Sequence, residues 1–217
     1  EALLHDPHPE VRRHAVGLSS YLIAASADRG VGLWNAVAIA AKDPDPAVRL
    51  QVALTLGWAS EPRAFRALTQ LLIGDASNVW LRTAVLSSLN EHNVGIIQQG
   101  VAQALKEAEG ERRHSLLDVL AEINGHAVAL GDGEATASLV LGLLPKVGNK
   151  GSIDDWTNAT TLLIGLRKAG RLHQVFMKRP DWLRLCNQAL DCALDSETQV
   201  ELRLAALRFL GQSESLD

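Results

Sequence analysis

The stretch Asp43-Pro-Asp-Pro-Ala-Val-Arg-Leu-Gln-Val-Ala-Leu-Thr-Leu-Gly-Trp58 carries a complete set of instructions for one short helix. Asp43 or Asp45 can cap its start, where a carboxylate accepts from backbone N–H groups that have no partner in the first turn. Pro46 suits the first helical position, since its missing donor costs nothing there. Val48, Val52 and Leu56 recur at four-residue steps and so share one face. Gly57 follows as the stop, because glycine enters the left-handed backbone that closes a helix without a Cβ penalty. A helix this short is marginal alone in water and must stack on something like itself.

The chain contains copies to stack on. Asp6-Pro-His-Pro-Glu-Val-Arg12 repeats the signal, its Arg 37 residues before Arg49. Asp75-Ala-Ser-Asn-Val-Trp-Leu-Arg82 repeats it without prolines, with Arg82 33 residues after Arg49, and a fourth copy runs from Asp195 through Val200 to Arg203. Three residues after the four arginines stand Ala15, Val52, Val85 and Ala206; seven after stand Leu56, Leu89 and Leu210; eight after stand the helix stops Gly57, Asn90 and Gly211. The first copy has Ser19 and Ser20 instead, so its helix is expected to run on to about Ala25. Self-similarity at this period is the signature of a helical solenoid.

Partner helices are predicted between the copies at Val31 to Ala41, Pro62 to Ile73 and Val94 to Ala108. The 121 residues from Arg82 to Arg203 hold two degenerate repeats, with helices at Glu111 to Ile123, Glu134 to Leu144, Asp154 to Ala169 and Pro180 to Leu194. Segments 145–153 and 170–179 read as the longest loops. The expectation is one all-α, right-handed α-solenoid over 1–217, of about five helix pairs. It begins at Glu1 and stops just past Leu210, so it is expected to be entered and left in mid-repeat as a piece of a longer chain, with first and second helices on opposite surfaces and a concave face for a partner.

Composition agrees with this architecture. Apolar residues make up 47% of 217, aromatics only 4%, and alanine and leucine favour helix. The net charge of −4 divides evenly, with 9 basic and 11 acidic residues in 1–110 and 12 and 14 in 111–217. This balance argues against a dedicated nucleic-acid surface, which concentrates lysine and arginine on one face. No run approaches the ~18 apolar residues of a membrane span, and no basic-apolar leader follows Glu1. Cys186 and Cys192, six apart in a predicted helix, would lie about 9 Å apart along its axis, too far for a disulfide, and read as buried apolar residues.

The motif Asp-Pro-x-Pro-x-Val-Arg followed by Ala and Leu-Gly resembles the HEAT repeat, in its Asp-Pro/Val-Arg form. The match covers 6–25, 43–73, 75–108 and 195–211, and 109–194 only by helix spacing. The resemblance implies a hydrogen-bonded ladder between neighbouring first helices, pairing Asp43 with Arg49 and Asp6 with Arg12. More narrowly, Val48-Arg-Leu-Gln-Val-Ala-Leu-Thr-Leu-Gly57 with Trp80-Leu-Arg-Thr-Ala-Val-Leu-Ser-Ser88 resembles the HEAT-like segment of large bacterial membrane-bound dehydrogenase proteins, in which a propeller-type dehydrogenase domain precedes the repeats and a c-type haem domain follows. That likeness implies a periplasmic or envelope location, with a cytoplasmic one as the alternative. No Cys-x-x-Cys-His occurs here, so any haem would belong to another part of such a protein, and no cofactor is expected in this segment.

Candidate chemistry is thin. His5, His8 and His14 include a metal-compatible His-x-x-His, but no further ligand completes a set, and they read as turn residues. His114, Ser115 and Asp118 are the residue types of a hydrolytic triad confined to one helical turn, which triad geometry excludes. Gly131-Asp-Gly133 and Gly148-Asn-Lys-Gly151 complete no phosphate-loop spacing. Asp154 and Asp155 open a helix, where acids are favoured by the backbone dipole. Arg167, Lys168, Arg171, Lys178, Arg179 and Arg184, opposed by Asp181, could meet an acidic partner but read as helix-end cations. Trp34, Trp58, Trp80, Trp156 and Trp182 read as packing residues, with Trp58 and Trp80 at helix ends as contact anchors. Asn158-Ala-Thr160, a sequon by spelling, lies in a predicted helix. No catalytic, cofactor or metal residue is assigned. The leading expectation is a non-catalytic scaffold within a larger bacterial redox protein, binding a protein or a neighbouring domain; the alternatives are a free-standing interaction adaptor and a HEAT-like nucleic-acid or DNA-glycosylase-type protein.

Overall fold

The computed structural model describes residues 2–24, 30–145, 150–170, 176 and 179–213. Among these there is no strand, and no described helix is long and apolar enough to cross a membrane. The helices are α1 (Pro9–Ala24), α2 (Gly30–Ile39), α3 (Pro46–Leu56), α4 (Pro62–Gly74), α5 (Val79–Leu86), α6 (Val94–Glu107), α7 (Gly110–Ala129), α8 (Gly133–Leu143), α9 (Ile153–Lys168), α10 (Pro180–Leu194) and α11 (Val200–Ser213). Short 3-10 turns, Ala2–His5 and Ala40–Lys42, precede α1 and α3. The chain forms two compact units, 1–119 and 120–217.

The first unit is an α-solenoid of helix pairs. Its first helices pack in series, α1 on α3 and α3 on α5, and its second helices likewise, α2 on α4 and α4 on α6. The α3 instructions work largely as written. Asp45, the nearer of the two candidate caps, accepts from the N–H groups of Ala47 and Val48, and Pro46 occupies the first turn. Asn78 does the same for α5, accepting from Trp80 and Leu81. Val48, Val52 and Leu56 are all fully buried, which confirms the face read from their spacing. Pro9–Ala24 reaches almost to the predicted end of the long first helix; Ala25 lies outside the described residues.

The helix stops work differently from the expectation. Gly57 keeps right-handed backbone, φ −58° and ψ −23°, so it is not a left-handed cap. A Cβ there would lie 2.3 Å from Ser88 Oγ and 2.9 Å from Ser88 Cβ, just past the end of α5. Close approach of the next first helix, not backbone freedom, is what demands glycine. At the equivalent position α11 runs straight through Gly211 to Ser213. α5 stops early, at Leu86, and Asn90 lies in a turn where Asn93 Oδ1 accepts its N–H at 2.9 Å while Asn93 Nδ2 donates to Ser88 O at 2.9 Å.

In the second unit α9 and α10 both pack on α11. Rings fill the core: Trp156 and Phe209 stand 5.1 Å apart, Trp182 and Phe209 5.6 Å, and Phe176 and Trp182 4.7 Å, all buried. Offset and tilted stacking at these spacings adds to the area such large side chains bury. Gly165 lets α9 meet α7 backbone to backbone, because a Cβ there would lie 2.3 Å from Ala121 O. The degenerate helices fall near their predicted bounds, with Pro180–Leu194 as expected. The exception is α7, predicted to end at Ile123. It continues to Ala129 through Asn124 and Gly125 because the buried face of Leu116, Leu120 and Ile123 extends to Ala127. A buried stripe outweighs the local tendency of Asn-Gly to end a helix.

Gly57→Ala should therefore destabilise by about 1–3 kcal/mol from overpacking, although alanine in a helix-like backbone is intrinsically favoured by up to about 1 kcal/mol. Urea unfolding of Gly57→Ala and of the double variant Gly57→Ala/Ser88→Gly checks this; the second change should recover most of the loss.

Candidate interaction surface of the first helices

Arginine and aspartate join the first helices, but offset by one repeat from the pairing that the sequence resemblance implied. Arg12 Nε and Nη2 donate to Asp43 Oδ2 and Oδ1 at 2.7 and 2.9 Å, and Arg49 Nε and Nη2 donate to Asp75 Oδ2 and Oδ1, both at 2.7 Å. Each arginine thus forks onto the carboxylate of the following repeat. Within its own repeat it meets backbone: Arg12 Nη1 donates to the carbonyls of Asp6 and Pro7, and Arg49 Nη1 to those of Asp43 and Pro44. A guanidinium at this position reaches its own loop with one nitrogen while its fork points at the neighbour, so one side chain ties two repeats. The aspartates have a second duty. Asp6, Asp43 and Asp195 each accept, through Oδ1, the N–H of the residue two further on, closing the turn before the helix. The paired arginine holds the Asp43 carboxyl below the usual carboxylate range.

The second unit rebuilds this rung with a different cation. Lys150, in the short segment 150–152 that leads into α9, is ion-paired with Asp195 and donates to Thr198 Oγ1 at 3.3 Å, while Thr198 Oγ1 donates to Asp195 Oδ2 at 2.9 Å. The Lys150 carbonyl accepts the indole N–H of buried Trp156 at 3.0 Å, so this segment is anchored to the core at the same residue. Arg203 donates through Nε to the carbonyl of Ala193 at 2.9 Å, meeting backbone ahead of its own helix as Arg12 and Arg49 do. Lys150 and the hydrogen bonds from Thr198 and Glu197 hold Asp195 down to about 2.

Residue types suggestive of chemistry mostly serve the helices. His8 Nδ1 accepts Glu10 N–H at 3.3 Å at the start of α1; His5, His8 and His14 are exposed. His114 Nδ1 meets Gly110 O at 2.9 Å, one turn back, rather than Ser115 or Asp118. Asp155 and Ser152 form a capping box at the start of α9, with Asp154 exposed beside it, and Asn158 and Thr160 lie inside that helix. Gly131 takes φ +99° where α7 ends, Gly133 opens α8, and Gly151 takes φ +74°; Gly148 and Asn149 lie outside the described residues. The basic stretch is dispersed: Arg167 donates to Gln212, Arg179 pairs with Glu134, Arg184 with Asp181, and Lys168 ends α9; Arg171 and Lys178 lie outside the described residues. Cys192 is buried, which pushes its thiol up, whereas Cys186 is only half-buried, short of the expected full burial; neither forms a disulfide.

The tryptophans divide sharply. Trp156 and Trp182 are core and Trp34 is half-buried, but Trp58 and Trp80 are 84% and 79% exposed. Tyr21, which sequence reading passed over, is 75% exposed. Its signal was available in the register: Tyr21 and Trp58 each stand nine residues after their repeat's arginine, Arg12 and Arg49. They line the same surface groove of about 370 Å³ between α1 and α3, with Arg13, His14, Gln51 and Leu54. Gly17 lines it as well.

Two measurements follow. In a double-mutant cycle followed by urea unfolding, the effects of Arg12→Lys and Asp43→Asn should be clearly non-additive, while those of Arg12→Lys and Asp6→Asn should add. Because the folded state favours the Asp195 anion, its contribution is complete above the ordinary carboxylate value of 3.8 and is lost as pH falls through about 2. The urea midpoint should decline across that window, and Asp195→Asn should flatten the decline.

The family described as HEAT repeats matches residues 1–90 and, in a second register, 35–121. No curated protein and no solved structure matches the chain. The matched residues contain the Asp-Pro/Val-Arg signals, the forked arginine rungs and the paired helix layers of the first unit, more than half of the 217 residues, and the chain belongs to the HEAT-repeat family.

Proposed function

We propose that this chain is a non-catalytic interaction scaffold within a larger bacterial redox protein of the membrane-bound dehydrogenase type, located in the cell envelope. The observation that carries the scaffold part is the exposure of three large aromatic rings, Tyr21, Trp58 and Trp80, on or just past the first helices of the first unit. Exposed aromatic side chains offer large, rigid contact area at low entropic cost and are favoured as anchors. HEAT repeats serve as protein-interaction modules, and their stacked helices supply surface rather than chemistry. Support for the redox setting is the likeness of Val48–Gly57 and Trp80–Ser88 to the helical segment of those dehydrogenases. In this reading the repeats space an upstream dehydrogenase domain from a downstream haem domain, and electron-transfer chemistry belongs to those domains.

Intact mass and visible absorption of the protein purified from its native host test the setting. A mass far above 23.4 kDa with a Soret band is expected. A colourless protein of about that mass overturns the redox setting and leaves a free-standing adaptor.

A further inference from the structure

We propose that the α1–α3 groove binds an extended, proline-rich segment carrying acidic residues. This deepens the scaffold reading by naming the chemistry of a partner. Four features of the groove select that occupant: its volume, its rings, its donors and its charge. Its volume, about 370 Å³, holds a few extended residues and not a helix of ~10–12 Å diameter. Tyr21 and Trp58, at equivalent positions of successive repeats, present two rings to it, the surface on which proline rings stack when a polyproline II segment docks. Such a segment has no internal hydrogen bonds and a solvated backbone, so its carbonyls need donors, and it has little entropy to lose on binding.

The donors are present. The Gln51 side-chain amide lines the groove and donates to Thr55 Oγ1 at 3.4 Å, and such an amide carries two N–H groups. Trp58 is exposed and carries an indole N–H. Charge selects the flanking residues: Arg13 and His14 line the groove, and no carboxylate does among the described residues. Arg13 already meets Glu10, at 2.8 and 3.1 Å, but both are part-exposed, so the guanidinium stays open to a second carboxylate. A basic segment would meet like charge here.

The probe is the synthetic peptide acetyl-(Glu-Pro-Pro)×3-amide, titrated into the 217-residue chain and followed by calorimetry and by the tryptophan indole N–H signals, with Trp58 assigned from Trp58→Phe. Saturable binding with Kd of about 10–100 μM and a shift of the Trp58 signal is expected. Tyr21→Ala and Trp58→Ala should each weaken it at least tenfold, at exposed positions where the urea midpoint should not move, and Leu183→Ala in the second unit should leave it unchanged. The lysine counterpart, acetyl-(Lys-Pro-Pro)×3-amide, should bind at least tenfold more weakly. No saturation at millimolar peptide, equal binding of the two peptides, or full binding by Tyr21→Ala and Trp58→Ala overturns the proposal. An amphipathic helical peptide that shifts Trp58 when the proline peptides do not overturns it too, yet leaves the scaffold reading standing, and neither result touches the Soret test.

Discussion

Everything distinctive about the first unit depends on a forked, charge-assisted contact between an arginine on one helix and an aspartate before the next. Bidentate guanidinium–carboxylate pairing fixes direction as well as distance, because two parallel N–H···O bonds tolerate little rotation. At Arg12–Asp43 and Arg49–Asp75 it sets the height of one first helix against its neighbour. The same Asp43 carboxylate orders the turn from which Asp45 caps α3, so one anion both positions the rung and starts the helix. The fit of Ser88 against Gly57, and the groove between α1 and α3, inherit that height.

The second unit shows that the rung is a constraint on charge and position, not on residue type. Lys150 comes from the loop ahead of α9, yet it reaches the aspartate that precedes α11. Lysine is a compact ammonium on a flexible stem and lacks the planar fork, and here Thr198 supplies additional hydrogen bonds around Asp195. The loop is held through Trp156, whose indole N–H bonds the Lys150 carbonyl, and through the ring cluster around Phe209. An aromatic core and a lysine rung together stand in for the aliphatic core and arginine rung of the first unit.

Function in such a protein lies in what the helices leave uncovered. The polar residues that suggested catalysis are turned to capping and local bonding, as at Ser152 and Asp155 or at His114. The rings of Tyr21, Trp58 and Trp80 stand largely exposed. Repetition places Tyr21 and Trp58 at one register, and a solenoid thereby converts a recurrence in sequence into an adjacency in space.

The amino-acid sequence by itself determined the helical repeat, the buried face of Val48, Val52 and Leu56, the capped start of α3 and most helix bounds, because these depend on residues within a few positions of one another. It also held the register that unites Tyr21 with Trp58. Tertiary structure decided what depends on a neighbour. Arg49 forks onto the carboxylate of Asp75 rather than that of Asp43 because its fork extends beyond its own repeat. Gly57 is needed for Ser88 and not for a left-handed turn. α7 runs through Asn124 and Gly125 because its buried stripe continues. Lys150 acts across 45 residues, at Asp195. No local pattern encodes such contacts, since their energy is realised only when a separately formed helix arrives at the matching height.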